Sequence, residues 1–424
     1  MKRLPLIWLC LLLSACQNYD PAELTEIPTE VKRSIHAAVD NKHRPGVVIG
    51  FVNSKGTHFY SYGVSKAGGE QPLSEQSQFA IGSLTKLFTA ELYEAFEKDG
   101  FVSQSTLIAD IWPTVNDHSD TRLIYLANHT AALPRDIPQD TLALNSVKKL
   151  LSTLDRKTHL PTDYSYSSVG MAILGLSLGK VTDSSFKDQL GKKILTPLKL
   201  TNTSFEPSSG IVATRHQTTI PVEFPTEVPK VAYGAGGLYS TAKDLMSFLK
   251  HEMQQTEHLG WKHYQNETFD AFYHGGDGNG HQAFIAFRPD NNVGVVLLSN
   301  SASDDALQDI ALHLIDPRLD LPSFEHRPHQ QLSEKTLSLY TGDYRLKEDE
   351  SGNKIKLNVM DSRLVYNELT PEGDTVRQTP LQAIDEKTFE LADMPVVISF
   401  ESATNKSHAI LTFEDQTFTM VRLN

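Results

Sequence analysis

The sequence predicts an α+β protein. An antiparallel sheet flanked by helices, with an all-helical middle region, is followed by a small C-terminal antiparallel β-barrel. Three observations carry this. Runs rich in Val, Ile and Phe stand at 46–64 and again at 273–300, and helical periodicity dominates the stretch between them. Pro317, Pro322 and Pro328 then mark a linker. Beyond residue 331 the pattern changes to short strands separated by turns. With 424 residues the chain exceeds one ordinary core, so two domains are expected.

The elements follow in order. Residues 16–30 are polar, carry Pro21 and Pro28, and read as a tether. Residues 31–41 suit a helix, and 46–53 with 57–64 a strand hairpin around Lys55-Gly56. Leu87, Phe88, Ala90, Leu92, Ala95 and Phe96 recur at helical spacing over 84–98, and Asp99-Gly100 closes that helix. Residues 105–270 read as helices and loops. Strands are expected at 284–287 and 293–299 around the turn Arg288-Pro289-Asp290-Asn291-Asn292, and a last helix at 307–315. The first large domain thus covers 31–316, the linker 317–330 and the barrel 331–424. Barrel strands are expected at 355–359, 363–366, 388–391, 396–400, 408–413 and 417–421.

The net charge of −13 excludes a nucleic-acid partner, which needs a basic face. Lys2 and Arg3 precede an apolar run at 4–13, too short to span a bilayer. Leu13-Ser14-Ala15-Cys16 follows and resembles a bacterial lipoprotein lipobox. That resemblance implies that residues 1–15 are a signal peptide, that Cys16 is acylated, and that lipid chains anchor the protein without spanning. Gln17 after the cysteine implies the outer membrane, facing the periplasm. The two cysteines are Cys10 and Cys16, so the mature chain is expected to hold no disulfide.

Ser83-Leu84-Thr85-Lys86 places a hydroxyl three residues before an amine, and one helical turn brings both onto one face. A lysine whose pKa is lowered by burial can take the serine proton. The S-x-x-K spacing also occurs at Ser146, Ser177, Ser184, Ser240, Ser247 and Ser351, so context must choose. Ser83 alone stands between a strand-like run and a strong helix, whose first N–H groups suit a developing oxyanion. Ser240 or Thr241 reads as the cap of the next helix, with Asp244 in its first turn. Ser177 fits G-x-S-x-G, but lies inside an apolar helix at 169–178 where no nucleophile elbow can form. His251-Glu252 begins H-E-x-x-H, which fails at Gln255, and the chemistry calls for neither metal nor cofactor.

The run Ala80-Ile81-Gly82-Ser83-Leu84-Thr85-Lys86-Leu87-Phe88-Thr89 resembles the nucleophile segment of the class C β-lactamase-like serine hydrolases. That family includes D-Ala-D-Ala carboxypeptidases, D-aminopeptidases and esterases. Further matches keep the family's order: Leu126-Ala127-Asn128-His129-Thr130-Ala131-Ala132-Leu133-Pro134, then Tyr164-Ser165-Tyr166-Ser167-Ser168-Val169-Gly170, then 194–205. Ala235-Gly236-Gly237-Leu238-Tyr239-Ser240-Thr241 and Tyr273-His274-Gly275-Gly276 with 294–300 complete the series, so the likeness spans about 31–315.

The resemblance implies the β-lactamase/transpeptidase-like fold and an acyl-enzyme mechanism on a small-molecule or peptide acyl substrate. Ser83 would be the nucleophile, Lys86 its base and Tyr166 the proton-transfer partner. The N–H groups of Ser83 and Asp277 would form the oxyanion hole, with Gly275 and Gly276 letting backbone approach substrate. Two departures bear on substrate. His274-Gly275-Gly276 stands where Lys-Thr-Gly is usual, and Ser168 where Asn is usual. A neutral imidazole and a short hydroxyl grip a carboxylate and an acyl amide less firmly. An esterase, a D-aminopeptidase-like amidase or a slow carboxypeptidase is therefore expected; a muropeptide-binding scaffold and a weak β-lactamase are the alternatives. Histidines 129 and 281 read as structural. Tyr340-Thr341-Gly342-Asp343-Tyr344 resembles the start of lipocalin-like barrels appended to such hydrolases.

Overall fold

A computed structural model describes residues 19–423, apart from 114–119, 154–158, 208–209, 224–226, 303–305, 325–329, 348, 350, 392–395, 402–407 and 414–415. Cys16 and the signal segment lie outside the described residues.

Helix α1 (Thr29–Asp40) leads into the hairpin β1 (Gly46–Asn53) and β2 (Gly56–Gly63). Short strand β3 (Gln78–Ala80) precedes helix α2 (Thr85–Lys98). The middle holds the long helix α3 (Ser168–Val181), the small hairpin β4 (His216–Gln217) and β5 (Ile220–Pro221), strand β6 (Tyr239–Thr241) and helix α4 (Ala242–Glu252). Strands β7 (Lys262–Gln265), β8 (Asp270–Asp277), β9 (Gln282–Arg288) and β10 (Val293–Ser299) follow, then helix α5 (Leu307–Ile315). The main sheet runs β2-β1-β10-β9-β8-β7, its neighbours antiparallel.

Burial explains the two layers. Every residue of β1 is buried, and alternate side chains point to opposite faces. Val48 and Val52 join a core with α2, α3 and α4, whereas Val47, Ile49 and Phe51 join a second core with α1 and α5. Strand β10 divides likewise, with Val296 and Leu298 on one side and Val295 and Leu297 on the other. A sheet sandwiched between helices places the end of β8, beyond its pairing with the edge strand β7, beside the entrance to α2.

Strand β7 departs from expectation, because its segment reads as part of the helical middle. It has four residues, three exposed, and only its pairing with β8 makes it a strand. The capping and packing expectations hold: the Thr241 hydroxyl accepts from the Asp244 N–H at 3.1 Å and caps α4. Ser177 is fully buried in α3, donating to the Ile173 carbonyl at 2.8 Å and accepting from Trp112 Nε1 at 2.9 Å.

The C-terminal part is a closed antiparallel barrel of β11 (Gly342–Leu346), β12 (Lys354–Met360), β13 (Arg363–Leu369), β14 (Thr375–Ala383), β15 (Thr388–Leu391), β16 (Val396–Phe400), β17 (His408–Phe413) and β18 (Gln416–Arg422). Two of these strands exceed the six expected. Strand β11 is short, and β14 opens with exposed polar residues and contains Pro380, which hid its alternation. Tyr340, Tyr344, Phe389 and Phe400 fill the barrel interior. The barrel meets the larger domain at the small hairpin: Gln382 Nε2 donates to Thr218 Oγ1 between β4 and β5. The same hairpin donates from the His216 N–H to the Gly280 carbonyl at 3.1 Å, holding the turn after β8.

Candidate active site

Ser83 is the middle residue of a single 3-10 turn, Gly82–Leu84, that feeds α2. Gly82 adopts φ +51, and a Cβ there would fall 1.9 Å from the Asp277 carbonyl oxygen and 2.9 Å from the Asp277 nitrogen. A Cβ on Gly276 would fall 2.1 Å from the Ile81 carbonyl oxygen. Strand β8 and the entrance to α2 therefore touch at backbone level, which brings the Asp277 amide beside the Ser83 turn. Gly276 is needed for this packing, whereas a Cβ on Gly275 would meet nothing within 4 Å.

One turn along α2, Lys86 is 1% exposed. Its Nζ donates to Ser83 Oγ at 3.0 Å and to the Ala235 carbonyl at 2.7 Å. Burial draws its pKa from 10.5 down to about 7; the Arg135 charge adds to this and Asp136 opposes it. Burial raises the phenol pKa of Tyr166, while the neighbouring Ser83 hydroxyl and the Arg135 charge work the other way. Three cations surround its ring: Lys86 Nζ and Arg135 Cζ each at 5.1 Å from the centre, and Lys262 Nζ at 5.7 Å.

The loop carrying Tyr166 is held by His129. The His129 carbonyl accepts from the Ser165 N–H at 2.8 Å and its Nδ1 accepts from the Ser167 N–H at 3.1 Å. Burial, then the charges of Lys86 and Lys262, push its pKa down to about 4. The Ser167 hydroxyl caps α3 by accepting from the Gly170 N–H at 2.9 Å. Ser168, next along, faces the site, its own N–H donating to the Arg135 carbonyl at 2.7 Å. His281 is buried, Nδ1 accepting from the Ala80 N–H at 2.9 Å and Nε2 donating to the Ala213 carbonyl at 3.0 Å, which is the structural role expected of it.

His274 is 1% exposed, its ring centre 6.1 Å from that of Tyr166. Its Nδ1 donates to the Gly275 carbonyl at 2.7 Å, and Nε2 has no partner. Burial, reinforced by the Lys86 charge, pushes its pKa down to about 3, so the ring is neutral. With the proton fixed on Nδ1, Nε2 presents a lone pair and cannot donate to a carboxylate. Sequence reasoning treats His274 as a weakened anchor, and in this tautomer the ring offers an acceptor where an anchor for a carboxylate needs a donor.

A cavity of about 640 Å³ opens from Ser83 and Lys86, lined also by Ser168, Tyr239, Arg215, Asp136 and Glu227. Arg135, Asp136, Arg215 and Lys262 escape the sequence reading. Arg135 and Asp136 directly follow the Leu133-Pro134 segment, a position that could have flagged them; Lys262 carries no signal in a short polar strand.

Residues 31–316 match the family model described as Beta-lactamase. The chain belongs to the β-lactamase family. It is 23% identical over 201 residues to the β-lactamase of Escherichia coli (strain K12), covering 46% of this chain and 52% of that protein. It is 26% identical over 224 residues to the D-alanyl-D-alanine-carboxypeptidase/endopeptidase AmpH of the same organism, covering 48% and 56%. The chain thus spans about half the length of these curated relatives. Among solved structures, a class C β-lactamase from Rhodobacter sphaeroides superposes with a TM-score of 0.61 at 21% identity, over 69% of this chain and 99% of that one. A β-lactamase/D-alanine carboxypeptidase from Pseudomonas syringae also reaches 0.61, at 18% identity over 68% and 98%. Both likenesses establish the fold of this β-lactamase-family chain.

Proposed function

We propose that this β-lactamase-family chain is a serine hydrolase acting through an acyl-enzyme on esters or amides, D-amino-acid peptides of the cell envelope among them. The observation that carries the reading is the 3.0 Å bond between Ser83 Oγ and the buried Lys86 Nζ, whose pKa lies at about 7. Neutral Lys86 takes the Ser83 proton as Oγ bonds to the acyl carbon. The carbonyl oxygen gains negative charge opposite the N–H groups of Ser83 and Asp277. Tyr166 passes a proton to the leaving oxygen or nitrogen as its bond to carbon breaks. Water then attacks the acyl-Ser83 ester, giving its proton to the same pair, which returns it to Ser83 Oγ as the carbon–Oγ bond breaks and the acid leaves. The relative AmpH, described as a D-alanyl-D-alanine-carboxypeptidase/endopeptidase, supports the substrate class. The loss of a donor at His274 argues against efficient penicillin hydrolysis. We further propose that lipid on Cys16 holds the enzyme at the outer membrane, facing the periplasm.

Intact-mass spectrometry after exposure to a fluorophosphonate, p-nitrophenyl esters, D-alanyl peptides and a β-lactam tests this. One adduct that maps to Ser83 and vanishes in Ser83→Ala is expected. Labelling that survives the substitution, or no adduct with any probe, overturns it.

A further inference from the structure

Lys262 opens β7 and pairs in register with Tyr273 of β8. Its Nζ lies 5.7 Å from the centre of the Tyr166 ring and 5.9 Å from that of Tyr273. No carboxylate pairs with it among the described residues. Two rings hold this half-buried ammonium beside the nucleophile, and their faces satisfy it only in part. The open side gives onto a cleft of about 670 Å³ lined by Tyr264, Phe269, Tyr273 and Gly275, whose one carboxylate, Asp316, is already paired with Arg288 and Arg318.

The ladder sets the direction. Strand β7 covers β8 only from Asp270 to Tyr273, so the β8 edge is unpaired on that side from His274 onward. A reacting carbonyl seated at the Asp277 N–H has one arm in the 640 Å³ cavity, where the carboxylates Asp136 and Glu227 outnumber the guanidinium of Arg215 and disfavour an anion. Its other arm runs back past Gly275 and meets Lys262 where the edge closes. Lys86 and Lys262 lie on one Tyr166 ring, so that arm is short, about one or two residues. The near alternative, His274, offers only a lone pair there.

We propose that Lys262 is a specificity-determining residue that recognises an anionic group, such as a carboxylate, on the leaving-group side of the acyl substrate. This rests on the hydrolase reading above. A strand outside the recognised segments would then supply the positive charge that the His274-Gly275-Gly276 segment lacks.

The experiment compares the phenyl ester and the 3-carboxyphenyl ester of one acyl group, in wild type, Lys262→Gln and Lys262→Arg. The ratio of kcat/KM for the charged over the neutral ester is expected to fall about tenfold in Lys262→Gln and to recover in Lys262→Arg. A parallel binding measurement by calorimetry in Ser83→Ala needs no turnover. There the charged ester binds about tenfold more tightly than the neutral one, and adding Lys262→Gln removes the preference. An unchanged ratio or an unchanged binding preference overturns the role of Lys262. Persisting turnover in Ser83→Ala overturns the hydrolase reading instead, while the calorimetric comparison still decides on Lys262.

Discussion

The rate at which Ser83 is acylated should rise with pH and level off above about pH 7, and two neighbouring substitutions should move that limb in opposite directions. Lys86 acts as a base only when neutral. At pH 7 an amine of pKa 10.5 is neutral in about three molecules in ten thousand, whereas one at about 7 is neutral in about half, a difference of more than a thousandfold in competent enzyme. Arg135 disfavours the charged form of Lys86 and Asp136 favours it. Arg135 Cζ and Lys86 Nζ each lie 5.1 Å from the Tyr166 ring centre, so at most about 10 Å separates them. At that distance and an effective dielectric of about 40–80, one charge is worth roughly 0.4–0.8 kcal/mol, or about half a pH unit. Arg135→Gln should therefore shift the limb up by about half a unit, and Asp136→Asn down by a similar amount. Lys86→Met should abolish the limb and slow acylation at least about 100-fold. The assay is the second-order rate of fluorophosphonate labelling between pH 5 and 9, with circular dichroism to show that each variant is folded. A flat profile, or two variants that shift the same way, refutes the assignment of Lys86 as the base.

Ser177→Ala should leave labelling intact and cost about 1 kcal/mol in urea unfolding, because Trp112 Nε1 loses its acceptor. Gly276→Ala should cost about 1–3 kcal/mol and slow labelling of Ser83, since its Cβ would strike the Ile81 carbonyl and push β8 away from the α2 entrance; thermal melts and labelling rates read both. Glu94 keeps a pKa of about 7, chiefly through burial and then the Glu91 charge. The folded state thus holds a proton that the unfolded chain releases, so this group's contribution to stability falls as pH rises from about 4.5 through 7. Glu94→Gln should match wild type at pH 4 and melt about 2 °C higher at pH 8 by scanning calorimetry.

Much of the fold was legible because period and punctuation agreed. The apolar spacing along 84–98 required a helix, and a helix starting beside Ser83 required Lys86 on the same face. Residues 169–178 read as one apolar helix, and that removed Ser177 as a rival nucleophile. What stayed hidden depended on pairing across the chain. Strand β7 has no alternation of its own, so Lys262 could not be placed beside Tyr166 from local pattern. The roles of the two glycines were also beyond reach: Gly276 faces the Ile81 backbone and Gly275 faces open space, a difference of one position in the β8 pleat. Likewise the tautomer of His274 follows from a bond to the carbonyl of its own neighbour, Gly275, set by backbone geometry that composition does not encode.

The barrel's grip on the small hairpin sets an order of events during synthesis. Thr218 takes its hydrogen bond from Gln382, 164 residues further along the chain. The hairpin that braces Gly280 can thus close with its own local partners early, yet it meets its outer support only after more than half of the barrel has been made. Nascent chains halted before residue 382 would carry the Ser83–Lys86 pair at the entrance to α2, beside a turn that is still held from one side.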